Sequence, residues 1–470
     1  MPPTGGTGAV PVGGSGGVSA TGGSSGSGGT SATGGASATG GTAATGTGAT
    51  GGTGAMGGAS ATGGTSAPGG TSGGGGAAGS CARPVGACTA PEVTVTEVNV
   101  GIPVTGCGME GDTDPLPMAI AAMPSGGSRL AWLGTDSHVH IAELDCNDRL
   151  VGTPFGIPAV DLQDIAADEA GGVVLVTREA TNGGQDNCGN GQLCGGTSSP
   201  CRTMWMVRFN NAGSVEWETQ VTNLSDSLAG YDDGARFVWW YQHHGRLAYD
   251  GTNYAAYFCI GITVQNGNCI DIHEGDRMQV VGPDGALLNH PQAPDFGCSH
   301  SWTTRILWDE RVGQFVMVCA TDNPCSLALS NPYRAITTAT CDDTFWGGDV
   351  VLAGGAGYYT AWTNGGTIRL EHFTDGASDQ TRTNMANADH AHLVGYGAGR
   401  MLLAWGSGSA MAARVLDSGS GTDIGPDFTI SVVDHSFQAF KEYSDGSAAY
   451  PASGSSDTSI NIARVMPCSG

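Results

Sequence analysis

Five histidines in the C-terminal half, His243, His300, His390, His392 and His435, are the residues of this chain best suited to chemistry. They sit in a recurring phrase. It reads His243-His244-Gly245-Arg246-Leu247-Ala248-Tyr249, then His300-Ser301-Trp302 running to Trp308. It returns as His390-Ala391-His392-Leu393-Val394-Gly395-Tyr396 and as His435-Ser436-Phe437 running to Tyr443. His243 and His390 stand six residues before their aromatic, His300 and His435 eight, and His392 four. All these offsets are even, so on an extended strand each imidazole shares a face with its aromatic. Neutral imidazoles, with Asp389 and Asp434 directly ahead of two of them, suit a divalent metal ion that acts as Lewis acid or activates water. The simpler role for any single one is a hydrogen bond to a neighbouring repeat.

Two further constellations could act. Trp239, Tyr241 and His243 form a stripe of one parity that continues to Leu247 and Tyr249; with Trp302 and Phe437 it could stack sugars or a cation. Core packing between repeats would use the same rings. In His273-Glu274-Gly275-Asp276-Arg277 a His beside carboxylates could position an acid or base, and the segment reads as a loop after a Cys-bounded turn. It serves equally as a solvated turn with an Arg–carboxylate pair. The string Asp186-Asn187-Cys188-Gly189-Asn190-Gly191 only partly fits a calcium loop, because Cys occupies a ligand position. GxSxG, GxxxxGK[ST], HExxH and the dinucleotide fingerprint are all missing, which argues against hydride transfer, phosphoryl transfer and α/β-hydrolase chemistry.

The elements that must position these side chains are strands. Helical periodicity is scarce, whereas short apolar runs bounded by turn residues are frequent. Gly172–Thr177, Met204–Phe209 and Tyr358–Trp362 are clear strands; Asn210-Asn211-Ala212-Gly213, Pro283-Asp284-Gly285 and Asn364-Gly365-Gly366 are turns. Arg277–Leu288 has the form of an outer hairpin. The phrase recurs at roughly 40 to 60 residues, the period of a propeller blade. The spacing predicts an all-β fold, a β-propeller of about seven units beginning near Pro115, Asp161, Gln242, Ser299, Asp349, Asp389 and His435, with six or eight still open. Val93–Val100 reads as a lone strand that could complete the last blade and close the ring, removing exposed sheet edges. On a closed ring the equivalent histidines would gather at one mouth of the channel.

Residues 1–80 contain no charged residue and no His, and are almost wholly Gly, Ser, Thr and Ala. Such a segment buries too little apolar surface to offset the entropy of ordering, so a disordered, low-complexity linker is expected, reaching roughly 50 Å. The propeller domain then occupies 81–470, with a Gly- and Cys-rich loop inserted at about 181–201. All fourteen cysteines fall after residue 80, several in close pairs: Cys81 and Cys88, Cys259 and Cys269, Cys319 and Cys325. In an exported chain this implies structural disulfides, with Cys259–Cys269 the favoured local pair; zinc–thiolate sites are disfavoured because no CxxC occurs. The net charge is −25, with one Lys against 17 Arg among 18 basic residues, which argues against nucleic acid and anionic membranes as partners. The sequence has neither a charged-then-apolar signal region nor an 18-residue apolar run, and since Met1-Pro2-Pro3-Thr4 already lies in the linker, an export segment is expected upstream.

With the phrase, the lone closing strand and the leader in hand, the chain resembles secreted β-propeller proteins over roughly residues 91–468, and its leader resembles the tethers of bacterial lipoproteins. The resemblance is architectural: no WD dipeptide or kelch double-Gly repeat is present, so no catalytic residues follow from it. The first functional expectation is a tethered recognition module, an extracellular or cell-surface monomer that binds a glycan or protein at one mouth. The alternative is a metal-dependent polysaccharide lyase or hydrolase using the channel-mouth His cluster.

Overall fold

The alternation of apolar runs and turn residues does become strands, and the strands do close into a ring. The computed structural model describes residues 81, 83–106, 116–179, 202–222, 233–237, 245–293, 298, 303–322, 324–341 and 345–469. The 1–80 leader and the insertion at about 181–201 lie outside the described residues. Within them the chain is all-β, a seven-bladed propeller of antiparallel sheets.

Blade 1 runs from Met118–Ala122 at the channel to Leu150–Pro158 at the rim, and blade 2 from Asp161–Ala167 to Val215–Gln220. Blade 3 starts at Arg246–Tyr249, blade 4 at Thr303–Asp309, blade 5 at Trp346–Leu352, blade 6 at Ala391–Gly395 and blade 7 at Lys441–Glu442. The repeat phrase therefore marks the inner strands to within a few residues. Each inner strand packs beside the next around the full circle. Their beginnings share one end of the channel, called here the upper mouth.

Parity places side chains as the offsets require. In blade 6, His392, Val394 and Tyr396 face blade 7, where Val394 and Tyr396 join a core with Tyr450 and Val465. Leu393, one residue out of phase, packs toward blade 5 with Tyr359 and Leu403. The aromatic ending each phrase stacks at the lower end, as in Tyr249 with Tyr254 (4.5 Å) and Trp308 with Phe315 (4.8 Å). Tyrosines there also bridge blades. Tyr254 donates to Asp168 Oδ2 at 2.5 Å and Tyr358 donates to Asp309 Oδ2 at 2.9 Å, each carboxylate belonging to the preceding blade. Arg208 and Arg311 pair with those carboxylates. The Pro283-Asp284-Gly285 turn of blade 3 takes Trp217 of blade 2 against Gly285, whose φ of +83° and contact with the indole exclude a side chain.

Closure comes from the N-terminal side, as expected. Val93–Asn99 pairs antiparallel with Ser459–Val465 and becomes the outer strand of blade 7. Gly86–Ala87 then lies parallel to Cys468–Ser469, and a Cys88–Cys468 disulfide joins the two ends of the ring. The seam between blades 7 and 1 is filled by Arg464, whose guanidinium reaches both oxygens of Asp148 (2.5 and 2.8 Å) and lies 4.1 Å from the Tyr443 ring.

The close cysteine pairs are not the bonded ones. Cys81 bonds Cys146, Cys298 bonds Cys319, and Cys325 bonds Cys341. Cys259 lies opposite Asp276 in its ladder and Cys269 opposite Asn266, seven residues away (269 to 276). At about 3.3 Å per residue the two are far beyond disulfide reach. The reason is the hairpin's length: Tyr254–Asn266 and Cys269–Val281 are 13-residue strands joined at Gly267-Asn268, so Cys269 sits at the tip. His273-Glu274-Gly275-Asp276-Arg277 is accordingly strand and not loop. Beyond Tyr257, where the inner strand begins, this hairpin projects past the upper mouth, and Asp233–Phe237 pairs along it. The disulfides formed by these pairs among the described residues suit an oxidising compartment. No helix among the described residues is long and apolar enough to cross a membrane.

Candidate functional site at the upper mouth

Of the five histidines, His390, His392 and His435 can be located; His243 and His300 lie outside the described residues, with Trp239, Tyr241 and Trp302. His273 and Glu274 are placed only as backbone on the projecting hairpin, opposite Ile262 and Gly261.

His390 and His392 converge and His435 does not join them. His390 immediately precedes the inner strand of blade 6 and His392 is on it, so both rings point to the seam with blade 7, 5.8 Å apart. Asp434, on the connection between those blades, reaches between them. Its Oδ1 accepts from His392 Nε2 at 2.8 Å, and its Oδ2 stands 2.7 Å from His390 Nε2. That second approach is an ion-pair distance without hydrogen-bond alignment, so neither His390 Nε2 nor Asp434 Oδ2 has a hydrogen-bond partner. Gly406 makes the room: a Cβ there would lie 2.8 Å from Asp434 Oδ2. His435 fails to converge because residues 431–440 are not extended; the offset of eight to Tyr443 spans an irregular segment, not one strand. Its backbone N–H donates to the Tyr450 hydroxyl at 2.8 Å and its ring packs on Phe437. Asp389 is exposed and outside the cluster.

The opposite edge of the His392 ring faces Asp349 of blade 5, with 3.8 Å between Nδ1 and Oδ2. Asp349 is pinned in turn by Arg305 at 2.7 Å and by the Leu393 N–H at 3.3 Å. The electrostatics follow from burial. Desolvation alone would pull the His392 pKa down, but Asp434 and Asp349 outweigh it and hold it at about 9. Desolvation likewise opposes ionisation of Asp434, yet the two imidazoles keep its carboxyl far below the usual range. Arg305 is pulled down to about 10 by burial and by Arg246 nearby.

Asp349 and Arg305 were not singled out from sequence, although a signal exists. Each is a charged residue on an inner strand, as are Asp164 and Lys441. The single lysine bridges blade 7 to Asp164 of blade 2 at 2.9 Å.

The 431–440 connection also covers part of the mouth. Phe437 O accepts from Arg246 Nη2 of blade 3 at 2.7 Å, and Gln438 Nε2 donates to Leu116 O, ahead of blade 1, at 3.1 Å. The Phe437 ring meets Trp346 of blade 5 edge-on at 5.8 Å, both half-buried. The floor of the mouth is thus aromatic and polar at once, with His390 and His435 at its blade 6–7 side.

No protein-family model matches the sequence, and no curated protein matches it. Among solved structures, the chain is similar to one described as the Dos1 propeller (9% identity, TM-score 0.39, covering 73% of this chain and 78% of that one). It is also similar to a protein from Lactobacillus plantarum (13% identity, TM-score 0.36, covering 68% and 86%). Neither likeness bears on function.

Proposed function

We propose that this chain is an extracellular recognition module, carried on residues 1–80 as a tether, that binds a glycan at the upper mouth as a monomer. A propeller supports binding in general, since a rigid ring holds loops from several blades at one place. One observation carries the finer reading. Phe437 and Trp346 are half-buried and meet edge-on in a floor that also holds the half-buried polar rings of His390 and His435. Apolar ring faces beside hydrogen-bonding groups are what a sugar requires. The acidic surface and disulfides agree with an extracellular setting.

The test is a glycan array with the full chain, followed by titration of any hit against Phe437→Ala and Trp346→Ala. Each variant should weaken binding by about 10-fold, the equivalent of one stacking ring. Absence of any hit, or hits indifferent to both substitutions, removes the glycan reading and leaves a protein ligand as the next candidate.

A further inference from the structure

We infer that His390, His392 and Asp434 form a binding site for one divalent transition-metal ion at the seam of blades 6 and 7. The inference stands apart from the glycan reading, because it rests on the donor atoms alone. One ligand atom from each residue lies within 4.8 Å of the other two. Two of these donors are the atoms left without a hydrogen bond, His390 Nε2 and Asp434 Oδ2, and the Asp434 side chain is only 6% exposed. These two atoms meet each other at 2.7 Å without hydrogen-bond alignment, deep in the seam, where a cation could take the place of the imidazole proton.

The spacing is compatible with an ion. Metal–nitrogen and metal–oxygen bonds near 2.0–2.1 Å put tetrahedral donors about 3.3 Å apart. His390 Nε2 lies 2.7 Å from Asp434 Oδ2 and His392 Nε2 2.8 Å from Oδ1, so each nitrogen would open by about half an ångström from its own oxygen of a carboxylate that straddles the ion. The outer support is present as well. Metal-bound imidazoles commonly direct their other nitrogen at a carboxylate, which fixes the ring. His392 Nδ1 faces Asp349 at 3.8 Å, and Arg305 holds Asp349 in place.

Two nitrogens and one carboxylate suit zinc, cobalt, nickel, manganese or iron(II) better than calcium or magnesium, which prefer all-oxygen shells. Three protein donors among the described residues leave coordination positions for water or a ligand group. His390, 23% exposed, marks the side open to the mouth.

The competing account is a plain ion-pair latch, in which protons occupy the place of the metal. Zn²⁺ titration of chelator-treated protein, by calorimetry and elemental analysis with no glycan present, separates the two. One equivalent should bind, and His390→Gln, at a partly exposed position that folding tolerates, should weaken binding at least about 100-fold. Asp349→Asn should weaken it about 10–100-fold through the ring it orients. His372→Gln, which alters an exposed His–Asp pair in blade 5, should change nothing. Co²⁺ should give the visible absorption of a low-coordinate site in the parent and lose it in His390→Gln. Substoichiometric Zn²⁺, or binding that survives His390→Gln, overturns the site whatever the glycan array reports.

Discussion

Tyr254 of blade 3 donates its hydroxyl proton to Asp168 of blade 2 across 2.5 Å, and Arg208 closes on the same carboxylate. Burial raises the Asp168 pKa, but the hydrogen bonds from Arg208 and Tyr254 outweigh it and leave it lowered. A carboxyl whose folded pKa is depressed stabilises the protein above its unfolded pKa, about 3.9, and ceases to as pH falls through the folded value. Asp168→Asn should therefore lower stability at pH 7 by about 1–3 kcal/mol, a deficit that shrinks as pH falls below the unfolded carboxylate pKa. Urea denaturation across pH 2–7 measures it; a deficit that stays constant with pH would contradict the assignment.

Arg464 and Asp148 are both almost completely buried at the blade 7–1 seam, with side-chain exposures of 0% and 4%. Removing one partner strands the other charge. Arg464→Ala should cost about 3–5 kcal/mol, visible as a large drop in the urea midpoint. A loss below about 1 kcal/mol would mean that water reaches Asp148.

The Cys88–Cys468 bond closes a separation of 380 residues. The double variant Cys88→Ser/Cys468→Ser should lose about 2–5 kcal/mol, and reducing agent should then have less further effect on the variant than on the parent. Calorimetry with and without reductant reads both numbers.

Gly406 has an ordinary backbone, so alanine is tolerated locally, yet its Cβ would meet Asp434 Oδ2 at 2.8 Å. Gly406→Ala should displace the Asp434 carboxylate, lowering stability by about 1–3 kcal/mol and Zn²⁺ affinity at least about 10-fold. Unchanged affinity would show that Asp434 is not held where the site needs it.

What could be read from sequence was whatever depends on local period. Even offsets placed His392, Val394 and Tyr396 on one face, and the interval of the phrase located the inner strands, because a strand's alternation and a blade's length are both short-range properties. The closing role of Val93–Asn99 was legible for a related reason: a lone strand must find an edge. Failures came where partners are distant. Cys81 meets Cys146 and Arg464 meets Asp148 only after blades are set side by side, and no spacing encodes that. His435 was misplaced because evenness of offset was applied across a segment that bends. Asp434 was named with the imidazoles as suited to a metal through its place before His435, and its side chain reaches His390 and His392 instead.

The seal between Val93–Asn99 and Ser459–Val465 carries a kinetic corollary. During synthesis the first of these strands emerges early and must wait, unmatched, until its mate has been made. Propellers closed this way fold slowly relative to their size, since the decisive contact joins the most distant parts of the chain. The exposed edge of an unfinished ring is a template for pairing with another nascent copy, so the yield of folded protein should respond more to variants in these two strands than to equally destabilising ones elsewhere.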